Sequence, residues 1–442
     1  MKNRIVSAFL AVVLLFSLLC ACAQKDTESE VTAADTAAST EAADPLAERK
    51  AVADDLPATD LNGLQWRVYA QEAHVKGYFY SEAEDGEVVN DAIFYANRTV
   101  EERFNVDLVV DYSGNDDTKQ PSAIQKMVAA GDSTYSLVTC HDVLGCNLSL
   151  SNNFVNLYDI NYLNFKKPWW HDIDAISVLD QVYMVSSDMS VFQLNNTFVI
   201  YFNKDIMDDF KIEYPYQTVL DGSWTLDKLI AMTRDVYIDV NGDSADDAND
   251  IHGFSILPNC YGWLDSMGIQ TTMKSNDDIL VVNEDQTKIT SLVETMYNWL
   301  FNTAGGRSSM VNNQIDNQPF MDGKYMMLYS QVGQSVKLYR FIDKLNYGFV
   351  PVPKYDESQE NYISTFMDYP FFVPNTQSAD QLDVTGLMIE ALSAEGYKQI
   401  FPAYYEIALK VKYAQDNESV QMIEIVNQTT RPSFSWCFEN WQ

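Results

Sequence analysis

Histidine is scarce in this chain, with four among 442 residues, at positions 74, 141, 171 and 252. No two of them stand in a His-Glu-x-x-His arrangement, so the helix-borne zinc site of metalloproteases is excluded. The chain also lacks a Gly-x-Ser-x-Gly elbow to present a serine nucleophile, and a Gly-rich loop ending in Lys and Ser or Thr to cradle phosphates. Basic residues are few, 29 Lys and Arg against 63 Asp and Glu, for a formal net charge of -34. A surface of that sign repels nucleic acid and anionic head groups, and it disfavours an anionic ligand held by a general field. Pairs of acids are common, as in a glycosidase, but among 63 of them such pairs arise by chance.

Cysteine is sparse too. Six are present, and Cys20 and Cys22 lie in the N-terminal region. Cys140 and Cys146 can bridge on an oxidising surface or remain buried thiols with Cys260 and Cys437; their spacing fits no metal knuckle. The N-terminus itself is informative. Lys2 and Arg4 precede an apolar run from Ile5 to Leu19, short of the roughly 20 residues that span hydrocarbon. A basic start, a short apolar stretch and small residues behind it describe a secretory signal. Leu19-Cys20-Ala21-Cys22 resembles the bacterial lipobox, which implies removal of residues 1–21 and lipidation of Cys22. An ordinary signal, uncleaved or cut after Ala, is the alternative. Residues 22–56 read as a disordered acidic tether: they contain no aromatic residue and too little apolar surface to offset ordering entropy.

The remainder has the length of two domains and a rich supply of core residues, with 26 Tyr, 22 Phe and 8 Trp. Strand-like and helix-like segments alternate. Trp66 to Ala70, Val106 to Val110, Leu137 to Thr139, Thr197 to Phe202, Phe254 to Leu257 and Tyr347 to Pro351 read as strands. Asp91 to Phe104, Ile124 to Ala130 and a helix opened by Ser223 or Thr225 and running to Val236 read as helices between them. From Ala379 the pattern is mainly helical. Such alternation implies mostly parallel sheets covered by helices, the α/β class.

Five segments, in order, carry a family likeness. Met127 to Asp132 with Tyr135 to Val138 forms a helix, Gly and strand step, and Tyr201-Phe202-Asn203-Lys204-Asp205 a strand end. Gly222 to Asp227 is a helix start, Phe320 to Met327 contains Gly-Lys before apolar residues, and Tyr347 to Pro353 reads Tyr-Gly-Phe-Val-Pro-Val-Pro. Together they resemble the extracellular solute-binding proteins of the maltose-binding type, family 1, which serve ABC importers. The likeness implies a two-lobe, type II periplasmic-binding-protein fold with a ligand cleft at the hinge. It implies a first lobe from residues 57–189 and 330–393, and a second from 190–329 and 394–442. It further implies a monomer held at the outer face of the membrane by its lipid alone, delivering a small solute to permease subunits. A carbohydrate is favoured; a peptide or cationic solute, a surface carbohydrate-active enzyme and an adhesion module are the alternatives. No catalytic residue and no cofactor are required. The segment from Asn156 to Asp188 departs from the family's sugar binders, so ligand identity does not transfer.

Candidate ligand contacts follow from strand ends. His141 and Asp142 succeed the Leu137 strand; Asp142 can accept two sugar hydroxyls or cap the next helix. Gln71 and Glu72 follow the first strand. Asp188 lies at the expected crossing between lobes, and Gln331 and Gln334 at the expected return. Tyr261 and Trp263 fall where the family carries its stacking aromatic, with core packing as the alternative; Trp169 and Trp170 are a second candidate platform. Separately, Asp239, Asn241, Asp243, Asp247 and Asp250 place oxygens at the spacing of a calcium loop, although its Gly sits early and its last acid is short. The choice is between a structural calcium and a solvated acidic turn.

Overall fold

Apolar runs and their breakers become thirteen strands among the described residues of the computed structural model, which are 45–438 apart from 117, 248, 257–260, 285, 309–316 and 406–415. In chain order they are β1 (Leu64–Gln71), β2 (Val106–Ser113), β3 (Leu137–Thr139), β4 (Met184–Val185), β5 (Phe198–Asn203), β6 (Tyr237–Ile238) and β7 (Ile251–Ile256). Then follow β8 (Thr272–Lys274), β9 (Leu280–Val282), β10 (Gly306–Ser308), β11 (Tyr325–Gln331), β12 (Tyr347–Pro351) and β13 (Phe371–Phe372). One sheet has the order β2-β1-β3-β13-β4, the other β10-β7-β11-β5-β12 with β6 beside β7, while β8 and β9 form a separate hairpin.

Local sequence explains the pairing. β1 buries Trp66, Val68 and Ala70 at alternate positions, and runs parallel to β2 with Trp66 opposite Leu108. The helix Val88–Phe104 covers this sheet with Val100 and Phe104, and an asparagine in the left-handed region, Asn105, ends it. β5 is buried along all six residues, as a central strand covered on both faces must be. Its neighbours β11 and β12 both run antiparallel to it. The helix Leu226–Thr233 starts at Thr225, whose hydroxyl makes no capping bond, and stops short of Val236.

Two lobes follow from two sheets, each with its own apolar core. Among the described residues the chain passes between them four times: from β4 to β5, from β12 to β13, from the helix Ala379–Glu395 to Ile400, and from the helix Asn417–Thr429 to Phe434. Two boundaries differ from the sequence expectation. The return to the first lobe falls after β12 rather than at residue 330, because β11 and β12 complete the second sheet around β5. The C-terminal helices are not wholly second-lobe either, since Phe434, Cys437 and Phe438 insert beside Cys140 and Phe372 of the first. Crossings one and three pack backbone to backbone: a Cβ on Gly396 would lie 1.9 Å from the carbonyl oxygen of Asp188.

The tether expectation also changes at its end. Residues 45–56 dock on the first lobe, with the helix Pro45–Ala51 laying Arg49 over the Tyr397 ring at 4.3 Å. Asp54 pairs with Arg103, and Lys167 donates to the carbonyl of Ala53 at 2.6 Å. Charged and cation–π contacts thus hold a segment that composition alone marks as unstructured. Cys22 and the rest of the tether lie outside the described residues. Cys146 and Cys437 are free, buried thiols, so no Cys140–Cys146 bridge forms; Cys140 is buried, and Cys260 lies outside the described residues.

Candidate functional site in the cleft between the lobes

The carboxyl end of β3 turns into the helix Asp142–Ser149 at Cys140 and His141. Asp142 is buried, and its carboxylate accepts the N–H of Val143 at 2.8 Å and that of Asp368 at 3.0 Å. In return the Asp142 N–H donates to the Asp368 carbonyl at 3.1 Å. The carboxylate therefore fastens the first residue of the helix to the β12–β13 crossing. His141 Nδ1 lies 2.8 Å from Asp142, and the ring stands edge-on to Tyr369. His74 stacks on the same tyrosine at 3.5 Å. Asp188, on the first crossing, is 2.6 Å from His171 Nε2. Burial opposes charge on His171, yet the Asp188 carboxylate holds its pKa above the usual value. Asp368 is buried and faces Asp142, so its carboxyl is pushed up to about 7 despite His171 and His141 nearby.

Thus His141, Asp142 and Asp188 gather around the crossings, while the other expected contacts scatter. Glu72 is exposed and pairs with Lys76 at 2.8 Å. Gln331 ends β11 with its carbonyl taken by the Tyr201 hydroxyl. Its amide oxygen accepts from Gln334 at 3.4 Å. Trp263 is buried in the second-lobe core, edge-on to Tyr329, and is no cleft platform. Tyr261 opens the helix Tyr261–Ser266, but its side chain lies outside the described portion. Trp169 and Trp170 are core as well; both indoles donate to Glu390, each at 3.1 Å.

The space between the lobes is elsewhere. A cavity of about 290 Å³ is walled by Asp172 and Ala175 of the first lobe, and by Asp265, Gln270, Met273 and Lys274 of the second. Thr365 and the run from Arg431 to Phe434, on two crossings, complete it. A wider groove of about 810 Å³ shares Asp172 and Arg431 and continues along residues 359–363 and 428–430. The β8–β9 hairpin spans the gap. Lys274 donates to the Asp174 carbonyl at 2.7 Å, and the Asp278 carbonyl accepts the Leu179 N–H at 3.1 Å. Asp265 and Arg431 escape a sequence reading because 166 positions separate them. A hint exists for the first, an acid set within the apolar stretch Tyr261-Gly262-Trp263-Leu264-Asp265-Ser266-Met267.

The acidic loop is folded onto itself. Asp239 accepts the N–H groups of Gly242 and Ser244, and Asp243 that of Ala245. Asn241 accepts from Asp243, and Asp247 from Asn249. Asp250 is buried beneath them and accepts from Val240, Asp247 and the Tyr237 hydroxyl. Among the described residues no group of three His, Cys, Asp or Glu is gathered as a metal site. Nor, among them, is any helix long and apolar enough to cross a membrane.

No family model matches the chain. No curated protein matches either. Solved structures do. A sugar transporter from Rhizobium etli in an open conformation is similar with a TM-score of 0.57 at 14% identity, over 86% of this chain and 91% of that one. UspC of M. tuberculosis is similar with a TM-score of 0.54 at 12% identity, over 84% and 89%. A maltose/maltodextrin-binding domain from Bdellovibrio bacteriovorus, bound to maltotriose, is similar with a TM-score of 0.52 at 13% identity, over 84% and 88%. At such identities the likeness establishes the fold, two α/β lobes of the type II periplasmic-binding-protein kind.

Proposed function

We propose that this chain is the solute-capturing subunit of an ABC importer, a lipoprotein held at the cell surface through Cys22 that closes its lobes around a sugar. The observation that carries the reading is the 290 Å³ cavity walled at once by both lobes and two crossings, since only a space of that kind changes shape when the lobes move. Its size lies near the lower end of small-molecule sites, about 300–1,000 Å³. Carboxylates, an amide and two cations stand beside Met273 and Phe434 there, the mixture that suits the hydroxyl edges and C–H faces of a ring. The sugar-binding proteins of like fold support a carbohydrate over a peptide or polyamine. Monomeric action, a permease partner and the lipid anchor belong to the same proposal and rest on the lipobox and the family likeness.

A thermal-shift screen of the full-length protein against sugars, short peptides and polyamines tests it. A sugar at 100 times its dissociation constant adds about 2.7 kcal/mol, and is recovered unconsumed. A shift only with peptide or polyamine overturns the carbohydrate assignment. Asp172 and Asp265 face one cavity, so consumption of the sugar would replace the binding reading with a glycoside-cleaving one.

A further inference from the structure

The cavity has an unusual wall. Residues 430–433 leave the helix Asn417–Thr429 in the second lobe, pass the cleft, and lead into Phe434, Cys437 and Phe438 in the first-lobe interior. This C-terminal strap contributes Arg431 and Ser433 to the cavity. Ser433 donates its hydroxyl to Asp265, and Ser435 donates to the Thr272 carbonyl at 3.0 Å. The strap is thereby hydrogen-bonded to the second lobe while its apolar end is buried in the first.

The four charged groups on the cavity differ in how they are used. Lys274 is engaged with the Asp174 carbonyl, the Ser177 hydroxyl at 3.0 Å and Asp278 at 3.5 Å. Arg431 makes no ion pair among the described residues, and the acid whose charge it feels is Asp265. Asp265 is 7% exposed. Burial drives its carboxyl up to about 6 even with Ser433, Arg431 and Ser435 opposing, and the group stands on the cavity wall. A carboxylate has about four lone-pair sites for donors, and a guanidinium presents a planar fork of N–H groups. Two adjacent ring hydroxyls offer the complement, with O–H protons for the acid and oxygen lone pairs for the fork.

We propose that the C-terminal strap forms part of the solute site, and that Asp265 and Arg431 are its specificity-determining pair, reading two neighbouring hydroxyls of a sugar ring. The assignment rests on the sugar-binding reading above and adds to it the residues and the chemical feature recognised. Pro432 and Phe434, flanking Ser433 on the strap, meet the ring's apolar face.

The test is isothermal titration calorimetry on full-length protein with glucose, galactose, xylose, maltose, cellobiose and maltotriose, followed by deoxy analogues of the tightest binder. Asp265→Asn and Arg431→Gln are each expected to weaken that sugar about 30-fold or more, the loss of a charge-assisted hydrogen-bonded pair. Their melting temperatures should stay near the parent's. An analogue lacking one of the two hydroxyls should bind the parent more weakly, and the variant that has lost that hydroxyl's partner should weaken it little further. Parent binding with both variants within twofold of it overturns this assignment and leaves the sugar reading standing. Binding of no sugar by the parent overturns the sugar reading and this assignment together. Should Asp265→Asn fail to fold, Arg431→Gln decides alone, because Arg431 is exposed.

Discussion

The two lobes solve the same problem, a polar group deep in an apolar core, with different chemistry. In the first, Glu390 is fully buried beneath the indoles of Trp169 and Trp170 and also accepts the Asn164 N–H at 3.2 Å. In the second, phenols fill that place: the Tyr201 hydroxyl meets the Val332 carbonyl at 2.8 Å and Ser335 at 2.6 Å, and Tyr339 donates to Asn317 at 2.7 Å. A phenol is neutral over the whole physiological range, and burial raises its pKa further. A carboxyl is neutral only because its site makes it so. Burial lifts Glu390 from 4.5 to about 7, against the pull of the two indoles. The first lobe therefore carries a titratable carboxyl in its core, whereas these phenols of the second do not titrate below alkaline pH; the second lobe's raised carboxyl, Asp265, lies at the cavity instead.

The strongest way to break this comparison is to remove the carboxyl. Glu390→Ala leaves two buried indole N–H groups without acceptors, at about 1–3 kcal/mol each, and opens a void besides. A loss of about 4 kcal/mol in urea unfolding at pH 6 is expected. A loss below about 1 kcal/mol would mean that the indoles find other partners, and the first-lobe core would then be as indifferent to charge as the second.

The pH dependence comes next in size, and its sign is fixed by the direction in which each group moves on folding. Glu390 and Asp368 are raised in the folded state, from 4.5 and 3.8 respectively to about 7, and Asp265 from 3.8 to about 6. Between the unfolded and folded values the native protein binds more protons than the unfolded chain, so stability falls as pH rises through that window. His171, also raised, contributes stability that is present below its unfolded 6.5 and is lost as pH rises through its folded value. All four act in one direction. Urea midpoints should fall from pH 5 to pH 8, with a stability loss on the order of 3 kcal/mol or more, since each tenfold gain in proton affinity on folding is worth about 1.4 kcal/mol. Glu390→Gln, which keeps an acceptor without the charge, should flatten part of that slope. Equal midpoints at both ends would remove the titratable core.

Much of this frame is legible in the sequence. The strands over Leu137–Thr139 and Tyr347–Pro351 fall at their expected bounds because each is a short apolar run between breakers. The alternation of strands and helices identifies the α/β class. Lobe membership is less legible, since β12 belongs beside β5 through a register that no local pattern encodes. The crossings are legible in part, but none of the residues expected there lines the cavity. Asp188 and Asp142 follow from strand ends, whereas Asp368, Asp265 and Arg431 owe their positions to chain segments that meet only in three dimensions. Trp263 misleads for a physical reason: a tryptophan after a strand serves a core and a sugar platform equally well, and burial decides between them.

A smaller effect sharpens the second-lobe side. Tyr201→Phe removes the hydroxyl that meets Ser335 and the carbonyls of Gln331 and Val332. It should cost about 1–2 kcal/mol, and the cost should be the same at pH 5 and pH 8. A cost that varied across that interval would show the second core coupled to a titrating group.

The smallest expected effect concerns the acidic loop before β7. A cation bound there at 100 times its dissociation constant would add about 2.7 kcal/mol. Its ligands, however, already accept backbone N–H groups: Gly242 at 2.7 Å and Ser244 at 2.9 Å on Asp239, and Ala245 at 2.8 Å on Asp243. Binding would have to break these bonds and turn the carboxylates inward, and six to eight oxygens would have to converge. Asp246 is directed elsewhere, to His252 at 2.8 Å and Arg307 at 3.0 Å. Millimolar calcium should accordingly move stability by less than about 0.5 kcal/mol, as read from melting with calcium and with chelator. A larger rise would mean that the loop rearranges around the ion, and that the second lobe carries electrostatic control at its surface as well as at the cavity.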